Sequence, residues 1–327
     1  MAEPQVKDFN KTKYIDLANP MSEHFATFIY ANSIVRERMN HPTVMKGTGK
    51  GQTVVICGAG PSLREHAKKY TKARYKTVWG CNSAMPWLLE NGHRCTHGFC
   101  IDQTPEMMEE WETTPDVEYL LASTVHPHLT DLIAKNGRRI RWFHNYTGME
   151  NPPEWEEDQK ELLKGWEEAH GRKMTPEKAK EFLETRYEDF LYHFLYPPTV
   201  RVGHGLNSVN RAVCLAEFMQ FSRIVVLGAD CALAEDGAFH CDGAGATMSG
   251  TPIVMEGKVD GRLWKTKPDM VISAVMLVMM KWRMKDRLVL VGDTFPNALV
   301  DKTPEFLNAL PKLSEQDYNF DDCGERT

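Results

Sequence analysis

Polar and apolar positions along the chain fall into short β-branched runs separated by stretches of helical period. Thr53 to Cys57 is such a run and ends at glycines, while Leu63 to Tyr70 continues with Lys and Glu at helical spacing. The pattern predicts a strand, a tight turn and a helix. Further strands are expected at Thr77 to Gly80, His97 to Ile101, Tyr119 to Ala122, Arg139 to Phe143, Arg223 to Leu227 and Leu288 to Val291. Helices are expected at Ala84 to Glu90, after Asn207-Ser208 through Met219, and from Met270 to Met284. Short apolar strands alternating with helices imply βαβ crossovers. The fold class is α/β and Rossmann-like, with a mainly parallel sheet and helices on both faces.

Two segments depart from this alternation. Residues 1–52 read as an N-terminal helical segment, with Ser22 as N-cap before Phe25, Phe28, Ile29, Ile34 and Val35, closed by Gly47, Gly49 and Gly51. Residues 146–199 read as a helical insertion in which Trp155, Leu162, Leu163 and Trp166, then Phe182, Leu183, Tyr187, Phe190 and Leu191, recur at helical spacing. The insertion is a helical hairpin with an aromatic inner face, or a lid or acceptor-binding element over the site. The Rossmann-like domain is then split into 53–145 and 200–316, and 317–327 is a frayed tail.

Composition narrows the partners. With 42% hydrophobic and 26% charged residues the 327-residue chain is globular, and its net charge of -6 disfavours nucleic acid as a partner. Met1-Ala2-Glu3-Pro4 lacks the features of a secretory signal, and Met270 to Met280 is too short to span a bilayer. A cytoplasmic protein with eight reduced cysteines is expected. Cys95, His97 and Cys100, or Cys231, His240 and Cys241, are zinc candidates without the tight repeated spacing such sites use. The apolar Met270 to Met280 helix serves a core or a homo-oligomer interface.

Chemistry is expected at the strand ends. Gly58-Ala59-Gly60-Pro61-Ser62 is a turn whose backbone amides, with the helix N-terminus that follows, suit a phosphate. Leu63 stands where a dinucleotide fingerprint needs a small residue, and Trp79-Gly80-Cys81-Asn82 lacks a ribose-binding carboxylate. Asn82, Asp102, Gly203, Gly205, Asn207, Ser208 and Asp230 fall at other strand ends and are expected to converge on one crevice. Asn82 binds a ribose or base, or caps the helix near Ala84. Asp102 and Asp230 hold a metal, orient a hydroxyl or act as base. His240, in the polar stretch Glu235 to Gly243, is the candidate general acid or base.

Together these segments resemble the 6-hydroxymethylpterin diphosphokinase MptE-like family. The resemblance rests on Ile56 to Leu63, Asn82-Ser83-Ala84 with Leu88 to Gly92, Ile101-Asp102, Gly203 to Ser208, Val226 to Asp230 and His240 to Gly243, in that order. Gly257 to Gly261 followed by Trp264-Lys265-Thr266 also fits. The superfamily includes archaeal pterin diphosphokinases and motility accessory factor (Maf) glycosyltransferases, with bacterial sialyltransferases as more distant relatives. The resemblance implies nucleotide at the glycine turn, Asn82 and the Gly205 loop, with Asp230 and His240 lining the reaction site. It implies a nucleotide-dependent transferase. Glycosyl transfer from a nucleotide-activated sugar, such as a CMP-linked one, to a small-molecule, glycan or protein acceptor is expected first. The alternatives are a magnesium-dependent pterin diphosphokinase and a nucleotide-binding protein without turnover.

Overall fold

The β-branched runs become strands because they are buried on both faces, which a parallel sheet sandwiched by helices requires. The structure, a computed structural model, describes residues 5–8, 25–103, 111, 117–146, 151–196, 201–202, 207–241 and 253–302. The strands are β1 (Gln5–Asp8), β2 (Thr53–Cys57), β3 (Thr77–Cys81), β4 (His97–Cys100), β5 (Glu118–Ala122), β6 (Ile140–Asn145), β7 (Arg201–Val202), β8 (Arg223–Leu227), β9 (Ile253–Val259), β10 (Arg262–Thr266) and β11 (Leu288–Leu290). The helices are α1 (Phe25–Met39), α2 (Leu63–Tyr70), α3 (Ala84–Glu90), α4 (Pro127–Lys135), α5 (Trp155–His170), α6 (Pro176–Leu183), α7 (Tyr187–Leu195), α8 (Ser208–Phe218), α9 (Pro268–Met284) and α10 (Phe295–Val300).

Eight strands form one parallel sheet in the order β11-β8-β2-β3-β4-β5-β6-β7. The chain starts at β2, moves outward through β3 to β7, then returns to place β8 on the other side of β2. The strand order therefore reverses between β2 and β8. The helix of the return, α8, packs across β2, β3, β4 and β8. This is the Rossmann-like architecture expected. On the sheet, the rings of Trp79 and Phe99 stack with centroids 6.2 Å apart, and Phe99 and Phe143 stack at 5.1 Å. All three are buried, each contributing roughly 1.5–3 kcal/mol by leaving water.

The return run carries the most apolar helix. Pro268 opens α9, and Val271 to Val278 is buried without interruption inside the chain. This apolar stretch is core, and among the described residues no helix is long and apolar enough to cross a membrane.

Residues 1–52 are not helical throughout, as the sequence pattern suggested. β1 pairs in parallel with β9, and β9 pairs antiparallel with β10, forming a separate three-stranded sheet. The β9–β10 hairpin turns at Asp260 (φ 52°) and Gly261 (φ 78°), the two left-handed positions that an Asp-Gly turn provides. Ser22, expected as a cap, lies outside the described residues, as does the 317–327 tail.

Helices α5 to α7 form the insertion. Trp155 is buried against Tyr187 and Phe190, with its indole N–H donating to the Thr185 carbonyl at 3.0 Å. Buried Gln159 donates to the Phe182 and Thr185 carbonyls, both at 2.8 Å. These bonds seat Trp155 inward, whereas Leu162 and Leu183, expected on the same inner face, are exposed. The insertion docks on the carboxyl ends of β5 and β6. Ser123 Oγ lies 2.7 Å from His144 Nδ1, and His144 Nε2 lies 3.2 Å from Glu188 Oε1 on α7.

Candidate functional site

The strand-order reversal puts the loops after β2 and β8 side by side, the place where open parallel sheets bind ligands. Their backbones are joined directly. Gly58 N–H donates to the Leu227 carbonyl and Gly60 N–H to the Gly228 carbonyl, each at 2.9 Å. A Cβ at Gly60 would overlap the Asp230 carboxylate and lie 2.6 Å from the Gly228 oxygen. The glycines of this turn are thus required by the approach of the β8 loop.

Asp230 completes the joint. Its Oδ2 accepts from the Ser62 amide at 3.1 Å and from the Ser62 hydroxyl at 3.0 Å. The negative charge therefore sits at the first turn of α2, where the helix dipole favours an anion. Burial raises the Asp230 pKa, and the Ser62 bonds only partly offset that. The sequence pattern predicts an open phosphate cradle here. Instead the amides of Gly58, Gly60 and Ser62 all donate within the protein. Ala59, Gly60, Pro61 and Ser62 nevertheless remain half-buried rather than sealed.

Asn82 follows β3 in the left-handed region, with φ 45°. Its Nδ2 donates to Asp102 Oδ2 at 3.4 Å, so these two residues meet as expected. Its side chain does not cap α3, whose N-cap is Ser83. The Asn82 carboxamide oxygen is buried without a partner, a state that costs about 1–3 kcal/mol. A ligand donor would relieve it.

The β7–α8 loop is shared differently. Asn207 caps α8, its side-chain oxygen accepting from the Asn210 amide at 2.9 Å, and Ser208 opens the helix. The Ser208 carbonyl lies 4.0 Å from Cys81 Sγ at the end of β3, which brings the α8 N-terminus to the same edge of the sheet. Gly203 and Gly205 lie outside the described residues.

His240 is bound to the turn through its neighbour, because the Cys241 amide donates to the Ala59 carbonyl at 2.8 Å. Two residues absent from the sequence-based candidates join it. Lys267, the N-cap position of α9, places its ammonium 3.8 Å from the Phe239 ring centroid, and Asp269 lies in the first turn of that helix. Burial lowers the His240 pKa and the Lys267 charge lowers it further. Burial also lowers the Lys267 pKa against the opposing pull of Asp269, and raises that of Asp269. The β9–β10 hairpin positions this group. The Leu233 amide donates to the Lys265 carbonyl at 2.7 Å, and the Thr266 hydroxyl to the Cys231 carbonyl at 2.5 Å. Lys267-Pro268-Asp269 is a helix start with Pro in the first turn, and that signal would have located both residues.

The zinc candidates take other roles. Cys95, Cys100, Cys231 and Cys241 are buried thiols, and His97 pairs with Glu118 at 3.3 Å. Among the described residues no three His, Cys, Asp or Glu side chains gather as a metal set.

A family model described as 6-hydroxymethylpterin diphosphokinase MptE-like matches residues 31–236. The chain belongs to the MptE-like family. The match runs from α1 through the β8 loop, so it takes in the glycine turn and Asp230 and stops short of His240, Lys267 and Asp269. The motif resemblance over this region is thereby confirmed. No curated protein sequence matches this MptE-like chain. Among solved structures it is similar to the Maf glycosyltransferase of Magnetospirillum magneticum AMB-1, at 12% identity and TM-score 0.47. That alignment covers 88% of this chain and 42% of the other, so the chain spans less than half that protein's length. A mammalian sialyltransferase in complex with Gal-beta-1-3GalNAc-ortho-nitrophenol aligns at 10% identity and TM-score 0.40, over 86% of this chain and 91% of that one. A further mammalian sialyltransferase structure aligns at 11% identity and TM-score 0.39, over 89% and 99% of the two chains.

Proposed function

We propose that this chain is a nucleotide-dependent transferase that moves a glycosyl group from a nucleotide-activated sugar, a CMP-linked donor first among them, to an acceptor hydroxyl. The observation that carries the reading is the bond from the Cys241 amide to the Ala59 carbonyl, which fastens His240 beside the glycine turn. An imidazole held neutral by burial and by the Lys267 charge is suited to take a hydroxyl proton. In the transfer step the acceptor oxygen forms a bond to the anomeric carbon as that carbon's bond to the donor phosphate breaks. The acceptor proton passes to His240, and the nucleotide leaves with the bonding pair on its phosphate. Lys267 offsets that charge. Asp230, engaged with Ser62, holds the turn in place. Its carboxylate takes the Ser62 amide, so that donor is already engaged within the protein.

A panel of nucleotides and nucleotide sugars, tested by thermal shift and by release of free nucleotide without metal, checks this reading. A ligand at a hundred times its dissociation constant adds about 2.7 kcal/mol, enough to register. Stabilisation by CMP and turnover of a CMP-linked sugar are expected. Silence from every nucleotide sugar would refute glycosyl transfer.

The family description favours a second reading, a magnesium-dependent pterin diphosphokinase. Asp102 and Asp230 are the carboxylates that would hold the ion, with substrate phosphates filling its remaining positions. ATP turnover with a hydroxymethylpterin that stops in excess chelator would select this reading over glycosyl transfer. Tight nucleotide binding without product from any donor would instead indicate a nucleotide-binding protein.

A further inference from the structure

A basic pocket lies at the opposite edge of the sheet from the glycine turn, at the amino ends of β3 and β4. It has a volume of about 420 Å³ and is lined by Lys68, Thr71, Lys72, Gly92, His93 and Arg94. The strands between it and the crevice are five residues long, roughly 15 Å. The chain as a whole carries a net charge of -6. Against that, Lys68, Lys69, Lys72, Arg74 and Lys76 fall within nine residues, and Arg94 comes from the next loop.

None of Lys68, Lys72 or Arg94 pairs with a carboxylate among the described residues. Glu65 on α2 and Glu90 on α3 are the acidic side chains of the two adjoining helices, and both point to solvent. Capping does not account for the cluster. The Ala67 carbonyl at the end of α2 already accepts from the Thr71 amide and the Thr71 hydroxyl, each at 2.9 Å. The flanking cations are held elsewhere, with Lys69 over the Tyr70 ring at 5.2 Å and Arg74 over the Tyr75 ring at 4.8 Å. Arg94 is fixed by donating to the Lys76 carbonyl at 3.2 Å, and His93 stacks on Trp87 with centroids 5.6 Å apart. The wall is thus held in place, and Lys68, Lys72 and Arg94 line the opening.

We infer that this pocket is a second binding site, separate from the crevice, for the phosphate group of a small phosphorylated ligand. Two ammonium groups and a guanidinium around a shallow cavity suit a compact anion of two or three charges, and Arg94 adds a planar donor fork for phosphate oxygens.

Inorganic pyrophosphate is the probe, titrated by calorimetry without divalent metal, at physiological ionic strength and against a potassium chloride control. The proteins are the wild type, the Lys72→Ala/Arg94→Gln double variant and the His240→Ala crevice variant. Both substituted residues of the double variant are exposed, so its melting temperature should match the wild type. Pyrophosphate affinity should fall at least tenfold in the double variant and stay unchanged in His240→Ala. The nucleotide-induced thermal shift should survive in the double variant, so the two sites are read independently. Equal pyrophosphate affinity in all three proteins, or loss confined to His240→Ala, would overturn the inference. A lipid headgroup as the source would show as capture on phosphoinositide vesicles without binding of soluble pyrophosphate, and that result would also overturn it.

Discussion

The carboxylate of Asp230 accepts both the amide and the hydroxyl of Ser62, at 3.1 and 3.0 Å, across the point where the strand order reverses. Burial raises the Asp230 pKa despite those bonds. A carboxyl with a raised folded pKa stabilises the fold at low pH, and that contribution is lost as pH rises through the folded value. Asp230→Asn keeps an acceptor for Ser62 without the charge. Its melting temperature relative to the wild type should therefore rise between pH 4 and pH 8, with the turn kept in place. A difference that stays flat over this range would show that Asp230 does not carry the expected penalty.

Gly60 allows that joint to form. A methyl group there would overlap the Asp230 carboxylate, which Ser62 holds in place, and stand 2.6 Å from the backbone oxygen of Gly228. Gly60→Ala should cost about 1–3 kcal/mol in unfolding free energy and weaken nucleotide binding. Urea titration and the nucleotide thermal shift check both parts, and wild-type values in each would reject the tight approach.

Much of this geometry was legible in the sequence. Thr53 to Cys57 and Arg223 to Leu227 announce themselves as buried strands, and the glycines after them place the crevice. The partner of the glycines was not legible. A Gly-Ala-Gly-Pro-Ser turn reads as an anion cradle, and only the register of β2 on β8 reveals that Asp230 fills that role from within. The β9–β10 hairpin was missed although Asp260-Gly261 is a turn signal, because its flanks lack clear alternation. With it went Lys267, which the hairpin positions. β1 was hidden for a different reason: four residues take their strand form from pairing with β9, a contact 248 positions away at Gln5 and Ile253.

At the amino end of β5, Glu118 is held by two partners, His97 at 3.3 Å and Arg141 at 2.9 Å. Burial pushes its pKa up, but the hydrogen bonds and charges of His97 and Arg141 win and bring it down to about 2 from 4.5. A lowered carboxylate contributes stability above about pH 4.5 and loses it as pH falls toward 2. The shift corresponds to about 3 kcal/mol as an upper bound. Glu118→Gln should lower the urea midpoint at pH 7 and bring variant and wild type together near pH 2. An unchanged midpoint at pH 7 would contradict the ion-pair account.

A buried pair ties the insertion to β6. His144 and Glu188 are 3.2 Å apart with side chains 1% and 0% exposed, and Ser123 fixes the other imidazole nitrogen. Removing Glu188 takes away the group facing the buried Nε2 of His144, which costs about 1–3 kcal/mol for an unmet buried polar atom. Glu188→Ala should release α7, so limited proteolysis should cut within residues 146–199 before the sheet domain is attacked. If cleavage begins elsewhere, or at the wild-type rate, the pair is not what fastens the insertion.

His240 and Lys267 make the sharpest test of the proposed chemistry. Both pKa values are lowered, His240 first by burial and then by the Lys267 charge. A histidine with a lowered folded pKa adds stability above about pH 6.5, lost as pH falls through the folded value. His240→Ala should therefore blunt the acid sensitivity of the fold below pH 6.5, and it should abolish transfer while nucleotide still binds. In the wild type the acid limb of kcat/KM should lie below 6.5. Lys267→Gln removes one of the two causes, so that limb should move upward toward 6.5 without reaching it, since burial remains. A limb that stays in place in Lys267→Gln would mean that the titrating base is not His240, and Asp230 would then be the group to examine.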